Sequence, residues 1–249
     1  MPRYRLTVEY DGTPYVGWQR QINGPSVQEA IETAGEALSG ATAPVYGAGR
    51  TDAGVHALAM TAHIDLAKNF SPRTVREALN AHLRPHPIAV LDAAAIDDAF
   101  HARFSCQKRY YLYRVLNRRS GAGLYQNRVW LVGPHLEVEA MAEAAQSLIG
   151  KHDFTTFRSV QCQADSPIKT LSTLSVTREG EEVHFALDAP SFLHNQVRSL
   201  VGTLVQVGLG RWSTDDVKTA LEAKDRSQCG PVAPASGLYF VKAEYAGAE

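Results

Sequence analysis

One carboxylate, Asp52, stands in the segment GAGRTDAGVHA (Gly47 to Ala57) among three glycines, one arginine and one histidine. The segment is too polar for a core strand and too rich in glycine for a helix. It reads as a loop whose glycines Gly47, Gly49 and Gly54 allow positive φ and the close approach of another chain. Arg50 precedes the acid by two residues, so in extended chain both side chains leave on one side, where the guanidinium keeps a partly buried carboxylate ionised. Such a carboxylate is a nucleophile or general base, or the salt-bridged partner of a turn. Other chemistries find no footing here. GAGRTDAG has no third glycine at the dinucleotide offset and no helix pattern after it. No second acid nearby in sequence completes a glycosidase pair, and no spacing specifies a Ser-His-Asp set.

A second constellation lies at His101 to Arg128. It contains Arg103, Lys108, Arg109, Arg114, Arg118, Arg119 and Arg128 with no Asp or Glu, and Phe104 and four tyrosines are interleaved with those cations. Cations with flat rings between them suit phosphate neutralisation and base stacking; a solvated strand and loop is the plainer alternative. The overall charge of −1 hides this asymmetry, because the remainder holds 18 basic against 26 acidic residues. Cys106, Cys162 and Cys229 are far apart and show no CxxC or Cys/His spacing, which argues against disulfides and zinc. His82 and His86 have i,i+4 spacing, but Pro85 and Pro87 interrupt the helix that a metal face requires. No metal is expected.

The elements that must position these residues follow from periodicity. YRLTVEY alternates, with Tyr4, Leu6, Val8 and Tyr10 on one face, as in a half-buried strand. SVQEAIETAGEAL reads as a helix opened by a Ser26/Glu29 capping box, with Val27, Ala30, Ile31, Ala34 and Leu38 inward. ALAMTAHIDL reads as a strand, Ser71 and Pro72 open a second helix with Val75, Ala78, Leu79 and Leu83 inward, and IAVLDAAAI closes a first half. The second half repeats the plan. RYYLYRVLN is a strand on which Tyr111 and Tyr113 share one face and Tyr110 the other; LEVEAMAEAAQSLIG is a helix; LSTLSVTREGEEVHFALDA is a hairpin. FLHNQVRSLVGTLVQVG is a helix with Phe192, Leu193, Val197, Leu200, Val201 and Leu204 inward and His194 and Arg198 one turn apart on its polar side. STDDVKTALEAKD is a short helix capped by Ser213, and GLYFVKAEY is the final strand. Two β-α-β-β-α-β-like halves imply an α+β fold: two antiparallel sheets with helices on one face, joined around a cleft.

With 249 residues, 45% of them hydrophobic, the chain can bury a sizeable core as one large or two small domains. Glu9 and Asp11 occupy positions where a signal peptide would be apolar, and no run approaches the roughly 18 apolar residues of a membrane span. A cytoplasmic protein with no membrane partner is expected.

GRTDAGVHA resembles the catalytic loop of the TruA family of tRNA pseudouridine synthases, and other blocks match in the same order: EYDGTPYVGWQRQ with SVQEAIE, FHARFSCQKRYYLYRV, DFTTFR, FLHNQVRSLVGTLVQVG, AKDR and GLYFVKAEY. The likeness covers essentially the whole chain. It departs at HLRPHPIAV, where Pro87 stands in place of an acid. The resemblance implies the pseudouridine synthase fold, with two ferredoxin-like or RRM-like halves: residues 1–100 carry the Asp52 loop, and residues 101–249 carry the tyrosine strand and the arginine helix. It implies isomerisation of uridine to pseudouridine at positions 38, 39 and 40 of the tRNA anticodon stem-loop, by a homodimer without cofactor or metal. Asp52 would attack C1′ or remove a sugar proton, and both routes stay open. Arg50 would aid base flipping or pair with Asp52. Tyr111 would stack on the uracil and take part in proton transfer. Arg198 would salt-bridge Asp52, placing the active site between the halves. Lys108, Arg109, Arg114, Arg158 and Lys169 would follow the RNA backbone. Two rivals survive the residues alone: an RNA-binding protein in which Asp52 is structural, and a sugar hydrolase with a partner carboxylate close to Asp52.

Overall fold

The computed structural model describes residues 1–246. Strand β1 (Arg3–Tyr10) buries Tyr4, Leu6, Val8 and Tyr10, as its alternation demands. Helix α1 (Val27–Ser39) starts where Ser26 Oγ accepts the Glu29 N–H at 3.2 Å, while the Glu29 carboxylate lies 3.4 Å from the Arg20 guanidinium. Val27, Ile31 and Ala34 form its buried stripe. The short strand β2 (Val45–Gly47), which periodicity does not reveal, runs antiparallel to β3 (His56–Asp65), and the Asp52 loop connects the two. Helix α2 (Pro72–His82) begins with Ser71 Oγ accepting the Thr74 N–H at 3.1 Å. It ends at His82, so His86 is not on it; the His86 ring lies 3.2 Å from the Tyr15 hydroxyl. Strand β4 (Ile88–Ile96) is tied to α2 by Asn80, whose amide exchanges two 2.8 Å bonds with the Val90 backbone.

These elements and the chain's closing strand, Leu238–Tyr245, build one compact unit, Met1–Arg109 with the segment from Tyr239. Its strand order is β4-β1-β3-closing strand. β1 pairs antiparallel with β3 and β4, whereas the closing strand pairs parallel with β3, Tyr239 opposite His56 and Phe240 opposite Ala57. Purely antiparallel sheets were expected. The parallel pair arises because the closing strand returns from a long excursion rather than a hairpin.

The second unit, Tyr110–Leu238, holds most of β5 (Cys106–Asn117), β6 (Trp130–Val132), helix α3 (Val138–Gln146), the two-stranded pair β7 (Gly150–Asp153) and β8 (Ile168–Leu171), the hairpin β9 (Thr173–Glu179) and β10 (Glu182–Ala189), helix α4 (Gln196–Gly208) and helix α5 (Thr214–Ala223). The closing strand is β11. The order within this unit is β5-β10-β9, and β6 runs parallel to β5. The units divide within β5 rather than at residue 100, and β11 belongs with the first because its hydrogen-bonding partner there is β3.

Two helices are shorter than their apolar patterns. α3 stops at Gln146, and Gly150 at φ 111° turns the chain into β7. α4 starts at Gln196 rather than Phe192, because Asn195 takes a left-handed conformation at φ 62°. Phe192, Leu193 and His194 therefore precede the helix, and His194 is not a helical neighbour of Arg198. α4 is buried nearly all round; at Gly202 a built Cβ would lie 1.7 Å from the Pro231 carbonyl oxygen. α5 carries a full capping box, with Asp216 Oδ2 accepting the Ser213 N–H at 2.7 Å.

Candidate active site

The Asp52 loop is held from below by the segment after β1. The Thr51 side chain is buried, its hydroxyl 2.7 Å from that of Tyr10, which is also buried. The Trp18 N–H donates to the Thr51 carbonyl at 3.0 Å, and Asp52 forms an antiparallel bridge with Gly17. Only glycine fits at Gly17: φ is 127° and a Cβ would lie 2.5 Å from the Thr51 oxygen. Gly47 lies against the Trp18 ring, where a Cβ would approach to 2.6 Å. After the acid, the Val55 N–H donates to the Asp52 carbonyl at 3.1 Å, closing a turn that Gly54 completes at φ 78°. Of the glycines in the segment, Gly54 serves conformation and Gly47 serves close approach.

His56 follows the turn. It is buried, its Nδ1 lies 3.1 Å from the Gly12 nitrogen and 3.2 Å from Asp11 Oδ1, and its ring stacks on Tyr239 at 4.9 Å. At the other end of the loop, Arg109 Nε and Nη2 donate to the Ala48 carbonyl at 3.0 and 2.8 Å. Backbone bonds on both sides thus hold Asp52 half-buried, while Arg50 is exposed. A carboxylate mounted so rigidly loses little freedom when a substrate is presented to it.

In the second unit β5 separates the tyrosines as the alternation requires. Tyr113 is fully buried, and its hydroxyl donates to the Pro234 carbonyl at 2.7 Å. Burial pushes its hydroxyl pKa far up, against a smaller opposing effect of the Arg198 charge. Tyr113 is therefore the core ring of the pair. Tyr111 is 9% exposed and meets Phe192 edge-on at 5.0 Å, while Tyr110 is half-buried on the other face. Arg198 sits in the first turn of α4, with Nε donating to the Ala233 carbonyl at 2.7 Å and Nη1 to Asn195 Oδ1 at 2.9 Å. A cation at a helix N-terminus opposes the helix dipole by about 0.3–1 kcal/mol, so the position favours an anion opposite it. The AKDR and DFTTFR blocks meet: the Asp225 N–H donates to Thr156 Oγ1 at 3.1 Å, and Arg226 reaches the Thr156 carbonyl at 3.1 Å and Ser199 Oγ at 3.2 Å.

The basic segment has acids in space though none in sequence. Arg114 forms a bidentate pair with Glu182 at 2.7 and 2.8 Å, which holds that carboxyl below its usual range. Arg118 pairs with Glu181 at 2.8 Å. Arg109 donates to the Arg103 and Ala48 carbonyls, an ordering role that the spacing of the basic segment does not reveal. Arg158 is half-buried just after the turn Thr155–Phe157, Lys169 lies on β8 opposite His152, and Lys108 is half-buried on β5. Tyr10 and Thr51 were not singled out either. Strand alternation placed Tyr10 inward, but nothing local marks Thr51 as its partner.

The model of the tRNA pseudouridine synthase family matches residues 6–105 and 144–246. The chain is 60% identical over 247 residues to tRNA pseudouridine synthase A of Maricaulis maris, covering 99% of each chain. It is 60% identical over 245 residues to the enzyme of that name from Rhodopseudomonas palustris strain BisA53 and 54% identical over 245 residues to that of Parvibaculum lavamentivorans, in both cases over 98% of this chain and 100% of the relative. With this likeness running from end to end and including the loop that carries Asp52, the chain belongs to the TruA family of tRNA pseudouridine synthases.

Proposed function

We propose that the chain isomerises uridine to pseudouridine at positions 38, 39 and 40 of the tRNA anticodon stem-loop, acting in the cytoplasm as a homodimer built on two ferredoxin-like halves. The observation that carries this reading is the Asp52 loop: a family signature whose one carboxylate is half-buried on a backbone fixed by Trp18, Gly17 and Arg109.

The reaction breaks the bond between N1 and C1′, turns the uracil, rejoins it through C5 and removes the C5 proton. A stacked uridine cannot present that bond, so it flips out of the strand. Asp52 opens the sequence, by attack on C1′ or by removal of a sugar proton. Arg50, exposed beside it, fills the vacated stack or grips a phosphate. Tyr111 stacks on the released uracil and takes part in moving the proton off C5, while N1 takes one up so that the product is an isomer of the substrate. Arg198 is assigned to the Asp52 carboxylate on the resemblance and on its need for an anion at the head of α4. Lys108, Arg158 and Lys169 remain the phosphate ligands of the reading; Arg109 and Arg114 join them less directly, through the loop and through Glu182.

The test is tritium release from a tRNA transcript carrying 5-tritiated uridine. Wild type releases tritium, and Asp52→Ala lowers the rate at least a hundredfold, as expected for loss of a positioned acid–base or nucleophilic group, while still binding tRNA. Equal release by both proteins would remove Asp52 from the chemistry. Binding without release by either would leave an RNA-binding protein.

A further inference from the structure

The turn that precedes β5 carries an exposed ring and an exposed cation that the reaction above does not use. Phe104 is 75% exposed. It packs on His101 with ring centroids 4.4 Å apart, and the Arg103 guanidinium carbon lies 5.5 Å from its centroid. His101 meets Tyr46 at 5.4 Å and, edge-on, the fully buried His63 at 4.7 Å; Tyr46, 46% exposed, stacks on His63 at 5.1 Å. The turn is rigidly built. His101 Nδ1 accepts the N–H groups of Arg103 and Phe104 at 3.1 and 3.4 Å, and Ser105 Oγ accepts that of His101 at 3.0 Å.

It is also fastened to the Asp52 loop. One nitrogen, Arg109 Nη2, donates to the carbonyls of Arg103 and Ala48, each at 2.8 Å. The exposed ring and its cation therefore stand beside the loop that carries the acid, within a single unit of the fold. Among the described residues no carboxylate pairs with Arg103, and Asp65, which acts on both histidines, is held bidentate by Arg3 at 2.7 and 2.8 Å. Protein-binding hot spots bury a ring among well-packed neighbours. Here the neighbours are an exposed arginine, a half-buried histidine and an exposed tyrosine, a set matched to a flat polar ring joined to a phosphate.

We propose that Phe104 and Arg103 form a stacking site for one unpaired nucleobase of the RNA strand that enters the Asp52 loop. The site rests on the reading of the substrate as tRNA and adds a point of grip outside the position of the reacting uridine. Phe104 supplies the face, and Arg103 the cation for the base or its phosphate.

Phe104→Ala, Phe104→Trp and Arg103→Ala in the full chain test it, each compared with wild type for tRNA Kd, for single-turnover pseudouridine formation at saturating tRNA, for melting temperature and for sedimentation. Phe104→Ala weakens tRNA binding roughly tenfold, the size of one lost base stack, with the saturated rate little changed. Phe104→Trp binds like wild type, and Arg103→Ala shows a smaller loss. Wild-type affinity in Phe104→Ala overturns the inference, as does a loss that tryptophan fails to restore. A change in sedimentation that tracks the lost affinity also overturns it, assigning the patch to contact between copies. A wild type that makes no pseudouridine defeats the isomerase reading instead, and the binding measurement still decides the stacking site.

Discussion

Tyr111 and Tyr113 are two residues apart on β5 and share its inward face, yet their hydroxyls have different fates. That of Tyr113 is bonded to Pro234, a partner 121 positions away, and its ring leaves no room for a Cβ at Gly237. Tyr113→Phe removes a part-buried hydrogen bond and costs about 0.5–1.5 kcal/mol, lowering the urea midpoint. Pseudouridine formation by the folded fraction stays at the wild-type rate; a drop in turnover without a drop in stability would give Tyr113 the role assigned to Tyr111. The alternation of YYLY showed that the two rings point the same way, but only the distant Pro234 decided which is structural. The cations of the basic segment follow the same logic. The sequence shows no acid among them, and the β10 hairpin supplies Glu181 and Glu182 from more than sixty positions away.

Among the elements, the starts of α1, α2 and α5 were legible to the residue because a cap is a local feature: Ser26, Ser71 and Ser213 each accept the N–H three residues on. α4 was legible in existence and not in extent. Phe192 and Leu193 continue its apolar spacing, but Asn195 breaks the helix by adopting a backbone conformation that its sequence neighbours do not dictate. The result places Arg198 in the first turn, where its guanidinium is held by the Ala233 carbonyl and by Asn195 Oδ1. α4 also passes so close to the Pro231 segment that Gly202 is obligatory. Gly202→Ala forces the helix or that segment to move and is expected to destabilise by about 1–3 kcal/mol or more, read as a lower melting temperature. Gly121→Ala, at a glycine with nothing within 4 Å of the built Cβ, is the matched control and leaves the melting temperature unchanged.

For the molecule as a whole, one buried group makes a contribution to acid sensitivity that can be isolated. His63 is fully buried, its Nδ1 accepts the Ala102 N–H at 3.1 Å, and its Nε2 has no hydrogen-bond partner. Burial, with smaller contributions from Arg3 and His101, lowers its pKa from 6.5 to about 4. Between those values the unfolded chain takes up a proton that the folded chain refuses, so stability falls as pH drops below about 6.5 and levels off near 4; the full loss is about 3 kcal/mol. His101, also lowered by burial, adds to the trend. Urea midpoints from pH 8 to pH 4 in wild type and His63→Gln measure it: the variant is less stable at pH 8 and loses less on acidification, whereas parallel profiles would acquit His63. No helix of the described residues is long and apolar enough to cross a membrane. What the sequence by itself determined is the order of most elements, their caps, the loop character of the Asp52 segment and the family, because periodicity, capping and motif spacing are written within a few residues. What only the tertiary structure decided is partnership: Thr51 with Tyr10, Arg109 with Ala48, Arg114 with Glu182 and β11 with β3. Hydrogen bonds and ion pairs choose among all groups that folding brings within about 3 Å of one another, and no local pattern records that choice.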